Sequence, residues 1–134
     1  MSKENVDLVR RFYAELAAEG SSADFAGRLT DEALARFLDA EVEWLPVGDS
    51  VQSDTYRGFD GVRRFWSEFV SAWDSYRVEP LGFEAAGDRV AVVVHIVGRT
   101  HGLEVDETRS SLLTVRDGRI IRVESFSDPD AAKP

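Results

Sequence analysis

The sequence predicts a single α+β domain in which N-terminal helices cover one face of an antiparallel sheet. Its 134 residues have the size of one domain with one hydrophobic core. Apolar residues recur at helical spacing before about residue 75, and strand-like segments separated by turn residues follow. Helices first and a run of antiparallel strands afterwards are typical of this fold class.

The first two helices are predicted from stripes of apolar residues. Over residues 4–19 these residues recur at spacings of three and four, which places them on one face: Val6, Val9, Phe12, Tyr13 and Leu16. A second helical segment over residues 24–38 is broken near residues 27–30. It restarts at Thr30, with acidic residues in its first turn, and its stripe is Leu34, Phe37 and Leu38.

A short strand and a third helix follow. The strand covers residues 42–45 and stops at Pro46, and the Gly-, Ser- and Asp-rich loop through residue 54 is a candidate lid. The helix covers residues 60–73 and has a wide apolar stripe that must lie against a sheet or a cavity. The stripe consists of Val62, Phe65, Trp66, Phe69, Val70 and Trp73.

Four antiparallel strands are predicted in the second half of the chain, over residues 76–85, 89–100, 103–115 and 119–127. The strongest turn signal is Asp117-Gly118, because these residue types tolerate the positive dihedral angles of a two-residue hairpin turn. Residues 128–134 are small or polar and are expected to form a frayed tail.

Within the strand over residues 89–100, residues 90–97 are apolar on both faces apart from His95. A strand with two apolar faces is covered on both sides, and the chain has no further helix to cover the second one. We therefore expect a homodimer that packs through the outer sheet face.

Composition excludes several classes of partner and site. Lys and Arg number 16 against 25 Asp and Glu, so the net charge of −9 disfavours nucleic acid and anionic membranes. The chain has no cysteine and two histidines, and its acidic clusters lack metal-ligand spacing, so no metal and no cofactor are expected. No secretory signal and no run of ~20 apolar residues occur, so we expect a cytoplasmic protein without a membrane partner.

Four short motifs occur in order along the chain: YRG at 56–58, GVRRFW at 61–66, AGDRV at 86–90 and TVRDGRI at 114–120. With these motifs and this order of elements, the chain resembles the SnoaL-like family of the nuclear-transport-factor-2-like superfamily. The resemblance implies a cone-shaped, curved antiparallel sheet wrapped around three N-terminal helices, a fold also called cystatin-like. It leaves the activity open, because this fold houses polyketide cyclases, steroid isomerases, epoxide hydrolases and dehydratases.

The resemblance does not carry catalytic residues over to this chain. The cyclases have a His before and an Asp after the Asp-Gly hairpin, and the corresponding residues here are Ser111 and Ser125. Neither hydroxyl is an acid or a base near neutral pH. The first-helix Tyr of the steroid isomerases corresponds to Phe12, or to Tyr13 if the alignment slips by one residue, and their general base corresponds to Leu45.

Aromatic residues are the candidate ligand-binding groups. They lie on the short strand, the following loop and the third helix, elements that border the cavity in proteins of the fold that the chain resembles. Such a surface suits a flat, mostly apolar ligand with a few oxygens, although packing in the core explains the same rings. The set is Trp44, Tyr56, Phe65, Trp66, Phe69 and Trp73.

His95 and Glu124 are the candidate acid–base residues. His95 is the lone titratable group in the apolar run over residues 90–97, and imidazole changes its charge closest to neutral pH. The alternative is a histidine of the core or of the dimer interface with one satisfied hydrogen bond.

Arg109, Ser111 and Glu124 form a second candidate group. With a two-residue turn at the hairpin, strict pairing puts Ser111 opposite Glu124 and leaves Arg109 diagonal to that carboxylate. An Arg–Glu pair orients a polar ligand if it lies in a pocket, and is a plain ion pair on the outer face. The resemblance instead puts Ser111 and Ser125 together in the pocket, which requires a β-bulge.

Taken together, the sequence favours a pocket protein that binds a small, mostly apolar molecule. The alternative is an enzyme of the same fold, of the cyclase, isomerase, hydratase or epoxide hydrolase type, that uses His95 or Glu124 as acid or base. A third class, a protein-interaction module, would have a solid core and an exposed apolar patch beyond the dimer face.

Overall fold

The computed structural model describes residues 2–17, 19–20, 29–47 and 55–134. Its helices are α1, Ser2–Phe12, which continues as a π-helical turn over Tyr13–Ala17; α2, Asp31–Ala35; and α3, Gly58–Ser71. Its strands are β1, Glu19–Gly20; β2, Leu38–Leu45; β3, Tyr56–Arg57; β4, Ser75–Ala86; β5, Arg89–Thr100; β6, Leu103–Arg116; and β7, Arg119–Phe126. The predicted lid loop lies outside the described residues.

The second helix is shorter than predicted at its C-terminal end. Its start is confirmed, because the Thr30 side chain accepts a hydrogen bond from the Ala33 backbone N–H at 3.1 Å. After Ala35 the chain turns and enters β2, so Leu38 is the first residue of a strand. Leu34, Phe37 and Leu38 are buried as expected.

The described strands form one seven-stranded sheet in the order β1-β4-β5-β6-β7-β2-β3. The four long strands of the second half are confirmed, with bounds within one residue of the predicted ones. Unlike the other pairs, β2 and β7 run parallel. Parallel neighbours require a long connection, and here α3 and strands β4 to β6 lie between the two.

The core lies between the helices and one sheet face, which we call the inner face. On β5 the even-numbered residues Val90, Val92, Val94 and Ile96 belong to this core. The odd-numbered residues, including His95, therefore point to the opposite, outer face.

The hairpin between β6 and β7 contains the β-bulge on which the location of the serines depends. Asp117 and Gly118 have φ of 53° and 75°, as the predicted two-residue turn requires. Val115 pairs with Ile120 and Thr114 with Arg122, so Ile121 is an extra residue on β7. The strict pairing of Ser111 with Glu124 is therefore wrong, and Ser111 pairs with Ser125 on the inner face.

The C-terminal tail is ordered against the outer face rather than frayed. The hydroxyl of Ser110, 1% exposed, donates to the Asp128 carbonyl at 2.6 Å and accepts from the Ala132 N–H at 3.1 Å. Ala132 packs there with Ala91 and Leu112. The buried hydroxyl needs partners, and the tail backbone supplies both. The homodimer through this face stays a prediction.

Within the described ranges, no helix is long and apolar enough to cross a membrane.

Candidate functional site

A cavity of about 90 Å³ lies between the helices and the inner face of the sheet. The π-helical turn after α1, the end of β2 and helix α3 form one side, and strands β4 to β7 form the other. Its lining residues are Tyr13, Trp44, Pro46, Val47, Phe65, Trp66, Phe69, Val78, Val94, Ile96, Arg109, Ser110, Ser111 and Ser125.

Four of the six predicted aromatic residues line this cavity. The Trp44 ring centroid lies 5.4 Å from that of Phe65 and 5.8 Å from that of Trp66. Phe69 stacks on Phe65 at 6.3 Å. These rings form a continuous apolar wall, because α3 places residues 65, 66 and 69 on one face.

The other two predicted aromatic residues, Tyr56 and Trp73, do not line the cavity. The Tyr56 hydroxyl donates to Glu68 Oε1 at 2.5 Å, and its ring packs in the core. Trp73 packs against Phe69 with a centroid distance of 5.6 Å, next to Gly98. The structure places both rings against the core and not among the described lining residues of the cavity.

Opposite the aromatic wall, the cavity has a polar end made by hydroxyl groups. Tyr13 and Ser111 are hydrogen-bonded through their side chains, and both are buried. Burial raises the pKa of Tyr13 to about 12, although the hydrogen bond to Ser111 opposes the shift. The phenol is therefore a neutral hydrogen-bonding group at any physiological pH.

Arg109 and Ser125 complete the polar end. Ser125 is paired with Ser111 across the β6–β7 ladder. The guanidinium of Arg109 binds Glu107 rather than the expected Glu124, with Nε and Nη2 lying 2.8 and 2.5 Å from Oε2. Residues 107 and 109 are two apart on β6 and thus share a face, whereas the bulge moves Glu124 away.

Trp44, a residue of the aromatic wall, contains a buried polar atom without a hydrogen-bond partner among the described residues. The indole Nε1 of Trp44 is inaccessible to solvent and has no hydrogen-bond partner among the described residues. Buried Trp N–H groups normally have a partner.

The two predicted acid–base residues lie away from the cavity, on the outer face. Nε2 of His95 is 2.7 Å from Asp106 Oδ1, and Glu124 Oε1 is 3.3 Å from Arg122 Nε. His95 directly follows Val94, and Glu124 directly precedes Ser125, and both of these neighbours line the cavity. Because side chains alternate between the two faces of a strand, His95 and Glu124 point to the outer face. None of the described lining residues is Asp, Glu or His.

The position of Tyr13 in the site could not be predicted from the sequence. The helical stripe included both Phe12 and Tyr13, and the isomerase comparison favoured Phe12. Phe12 is instead 1% exposed in the core. Tyr13, the first residue of the π-helical turn, interacts with Ser111 on β6. The sequence signal for it is the one-residue slip in the alignment with the steroid isomerases.

Among the residues that the structure describes, no group of three His, Asp or Glu side chains is placed to hold a metal ion.

Solved structures with the same architecture define the class of fold. A candidate SnoaL-like polyketide cyclase from Jannaschia sp. CCS1 is 17% identical with a TM-score of 0.74, and the match covers 95% of this chain and 87% of that one. An NTF2-like protein from Burkholderia xenovorans LB400 is 21% identical with a TM-score of 0.73, and the match covers 96% of this chain and 92% of that one. TerC, co-crystallised with polyporic acid, is 22% identical with a TM-score of 0.73, over 93% of this chain and 92% of TerC. The chain has the α+β, NTF2-like fold.

The family follows from the sequence itself. A family model described as a SnoaL-like domain matches residues 9–123, and the chain belongs to this family. No curated protein matches the chain.

Proposed function

We propose that this protein binds a small, mostly apolar molecule in the cavity between α3 and the inner sheet face. The observation that carries the proposal is the buried hydroxyl pair of Tyr13 and Ser111 at the end of an aromatic wall. Apolar walls with a few convergent polar groups are typical of ligand sites. The co-crystallisation of TerC with polyporic acid supports the use of this fold for binding small molecules.

The enzyme alternative has less support. General acid–base catalysis requires a titratable group within hydrogen-bond reach of the substrate. His95 and Glu124 are bound to Asp106 and Arg122 on the outer face. Tyr13 stays protonated at neutral pH, and the charge of Arg109 is balanced by Glu107. The site supplies hydrogen bonds that can orient a ligand, and the described lining residues include no Asp, Glu or His as a base.

A binding screen with matched variants tests the proposal. Single-ring and fused-ring ketones, phenols and lactones are titrated into the protein and followed by isothermal calorimetry and native mass spectrometry. For a ligand whose oxygen reaches the polar end, we expect Tyr13→Phe to weaken binding by about 3- to 10-fold, the value of one neutral hydrogen bond. His95→Ala, on the outer face, is the matched control and should leave affinity unchanged.

Two results would contradict the proposal. The first is a screen without any binder, together with an experimental structure whose interior is solid. The second is turnover of a screened compound that is lost in folded His95→Ala or Glu124→Gln protein, which would instead support the enzyme alternative.

A further inference from the structure

Arg109 gives the cavity wall a positive charge, and its side chain is the only charged one among the described lining residues. Arg109 pairs with Val94 across the β5–β6 ladder, and Ser111 lies two residues further along β6. Val94 and Ser111 also line the cavity, so the Arg109 side chain leaves the sheet on the same, inner face. A guanidinium in an otherwise uncharged wall favours a ligand with a carboxylate, whose two oxygens match the planar N–H groups.

The Arg109 side chain is also in contact with solvent. The cavity is partly open, and this side chain is 30% exposed, whereas Tyr13 and Ser111 at the polar end are buried. A carboxylate bound to Arg109 therefore keeps part of its hydration. The desolvation cost that opposes a fully buried ion is reduced to the same extent.

The ion pair with Glu107 leaves one edge of the guanidinium available. Nε and Nη2 of Arg109 lie 2.8 and 2.5 Å from a single carboxylate oxygen, Oε2. Arginine has five N–H donors, and this contact uses the edge formed by Nε and Nη2. Within the described residues, Arg109 has no further hydrogen bond or ion pair. The edge formed by Nη1 and Nη2 can therefore donate to a second carboxylate.

Glu107 is a weak competitor for the same guanidinium. Its side chain is 46% exposed. Ion pairs between exposed side chains contribute little, because water and salt screen the charges. A ligand carboxylate can therefore share Arg109 with Glu107 or replace it, and the ligand also buries an apolar body in the cavity.

We infer that the ligand is a monocarboxylate whose acid group binds Arg109 and whose enclosed part is a short apolar chain. This inference rests on the proposed function and specifies its ligand class and the residue that selects it. An apolar cavity of ~150 Å³ holds one benzene molecule. The cavity of about 90 Å³ thus encloses about three to four carbon atoms, and any larger part of the ligand extends from the open side.

A pair of probes with the same shape tests the role of the charge. Isobutyrate and isobutyramide share an isopropyl body and a planar end group, and only isobutyrate is charged at neutral pH. Each is titrated into ¹⁵N-labelled protein, and Kd is obtained from the shifts of the NMR signals. The wild type should bind isobutyrate about 5- to 10-fold more tightly than isobutyramide, which lies between the values of an exposed ion pair and a charged hydrogen bond.

The ratio of the two Kd values is then measured in matched variants. Arg109→Gln should abolish the preference for isobutyrate, and Arg109→Lys should keep part of it because the charge remains. Glu107→Gln removes the competing carboxylate and should increase the preference about 2- to 5-fold. Arg122→Gln and Glu124→Gln remove one charge of each sign from the outer face and are the controls, so the ratio should stay as in the wild type. If Arg109→Gln fails to fold, Glu107→Gln still decides.

The outcomes distinguish the inference from the proposed function. If both probes bind and the ratio is the same in wild type and Arg109→Gln, Arg109 does not select the ligand and the binding pocket stands. Tighter binding of isobutyramide than of isobutyrate to the wild type would overturn the negative charge of the ligand. If neither probe binds, the carboxylate inference is wrong, and the screen of ring compounds decides separately on the pocket.

Discussion

Alkaline pH should destabilise this protein through Tyr13, and the size of the effect follows from its burial. The pKa of the phenol is about 12 in the folded state against 10 for an exposed tyrosine. Below pH 10 both states carry the proton and its contribution is constant. Above pH 10 the unfolded chain releases the proton and the folded chain retains it, so the free energy of unfolding falls until the pH passes about 12.

The magnitude follows from linkage between ionisation and folding. A difference of two pKa units corresponds to about 3 kcal/mol at full effect, of which roughly 1 kcal/mol is lost by about pH 11. The measurement is urea unfolding between pH 8 and 11, followed by far-ultraviolet circular dichroism. The background in this pH range comes from two lysines, Lys3 and Lys133, and from the two other tyrosines, so the contribution of Tyr13 is read from matched variants.

Matched variants isolate the contribution of this residue. Tyr13→Phe removes the ionisable group at nearly constant shape and should flatten the decline above pH 10. Tyr56→Phe, which removes a hydroxyl bound to Glu68 outside the cavity, should keep it. If wild type and Tyr13→Phe lost stability equally between pH 10 and 11, Tyr13 would not be the buried phenol described above.

Three further perturbations test the packing around the site. Gly98→Ala should lower the free energy of unfolding in urea by about 1–3 kcal/mol, because the added Cβ would lie 2.3 Å from a carbonyl oxygen of β4. Gly82→Ala is the control and should be tolerated, because its Cβ would have nothing within 4 Å. Removal of residues 128–134 leaves the Ser110 hydroxyl without its two partners. The free energy of unfolding should therefore fall by about 1–3 kcal/mol, while ligand affinity is kept. An unchanged free energy of unfolding would show that the tail does not dock in solution. Glu43→Gln, in a partly exposed ion-pair network on the outer face, should change the unfolding free energy by less than ~1 kcal/mol, and a larger loss would show that the network is structural.

Most of the fold could be predicted because it depends on local patterns. The stripe of α3, the alternation of β5 and the Asp117-Gly118 turn are each set by neighbouring residues. The end of α2 was predicted three residues too late, because Phe37 and Leu38 continue a helical stripe while their tertiary environment makes them part of β2. The same apolar residues are compatible with either element, and pairing with β7 decides between them.

The cavity could be predicted only in part. Helical periodicity placed Phe65, Trp66 and Phe69 together, and the resemblance placed Ser111 and Ser125 with them. Periodicity could not separate Trp73 and Tyr56, which pack elsewhere, because a ring in the core and a ring against a ligand have the same spacing.

The amino-acid sequence alone determined the α+β class, the SnoaL-like resemblance and the composition of the apolar wall, because these follow from local periodicity and short motifs. Only the tertiary structure decided which face each polar residue occupies. Side chains alternate along a strand, so one extra residue, Ile121, brings Ser125 into the cavity and leaves Glu124 outside. The tertiary structure likewise places Phe12 in the core and Tyr13 beside Ser111, although the two residues are neighbours on the same helical stripe.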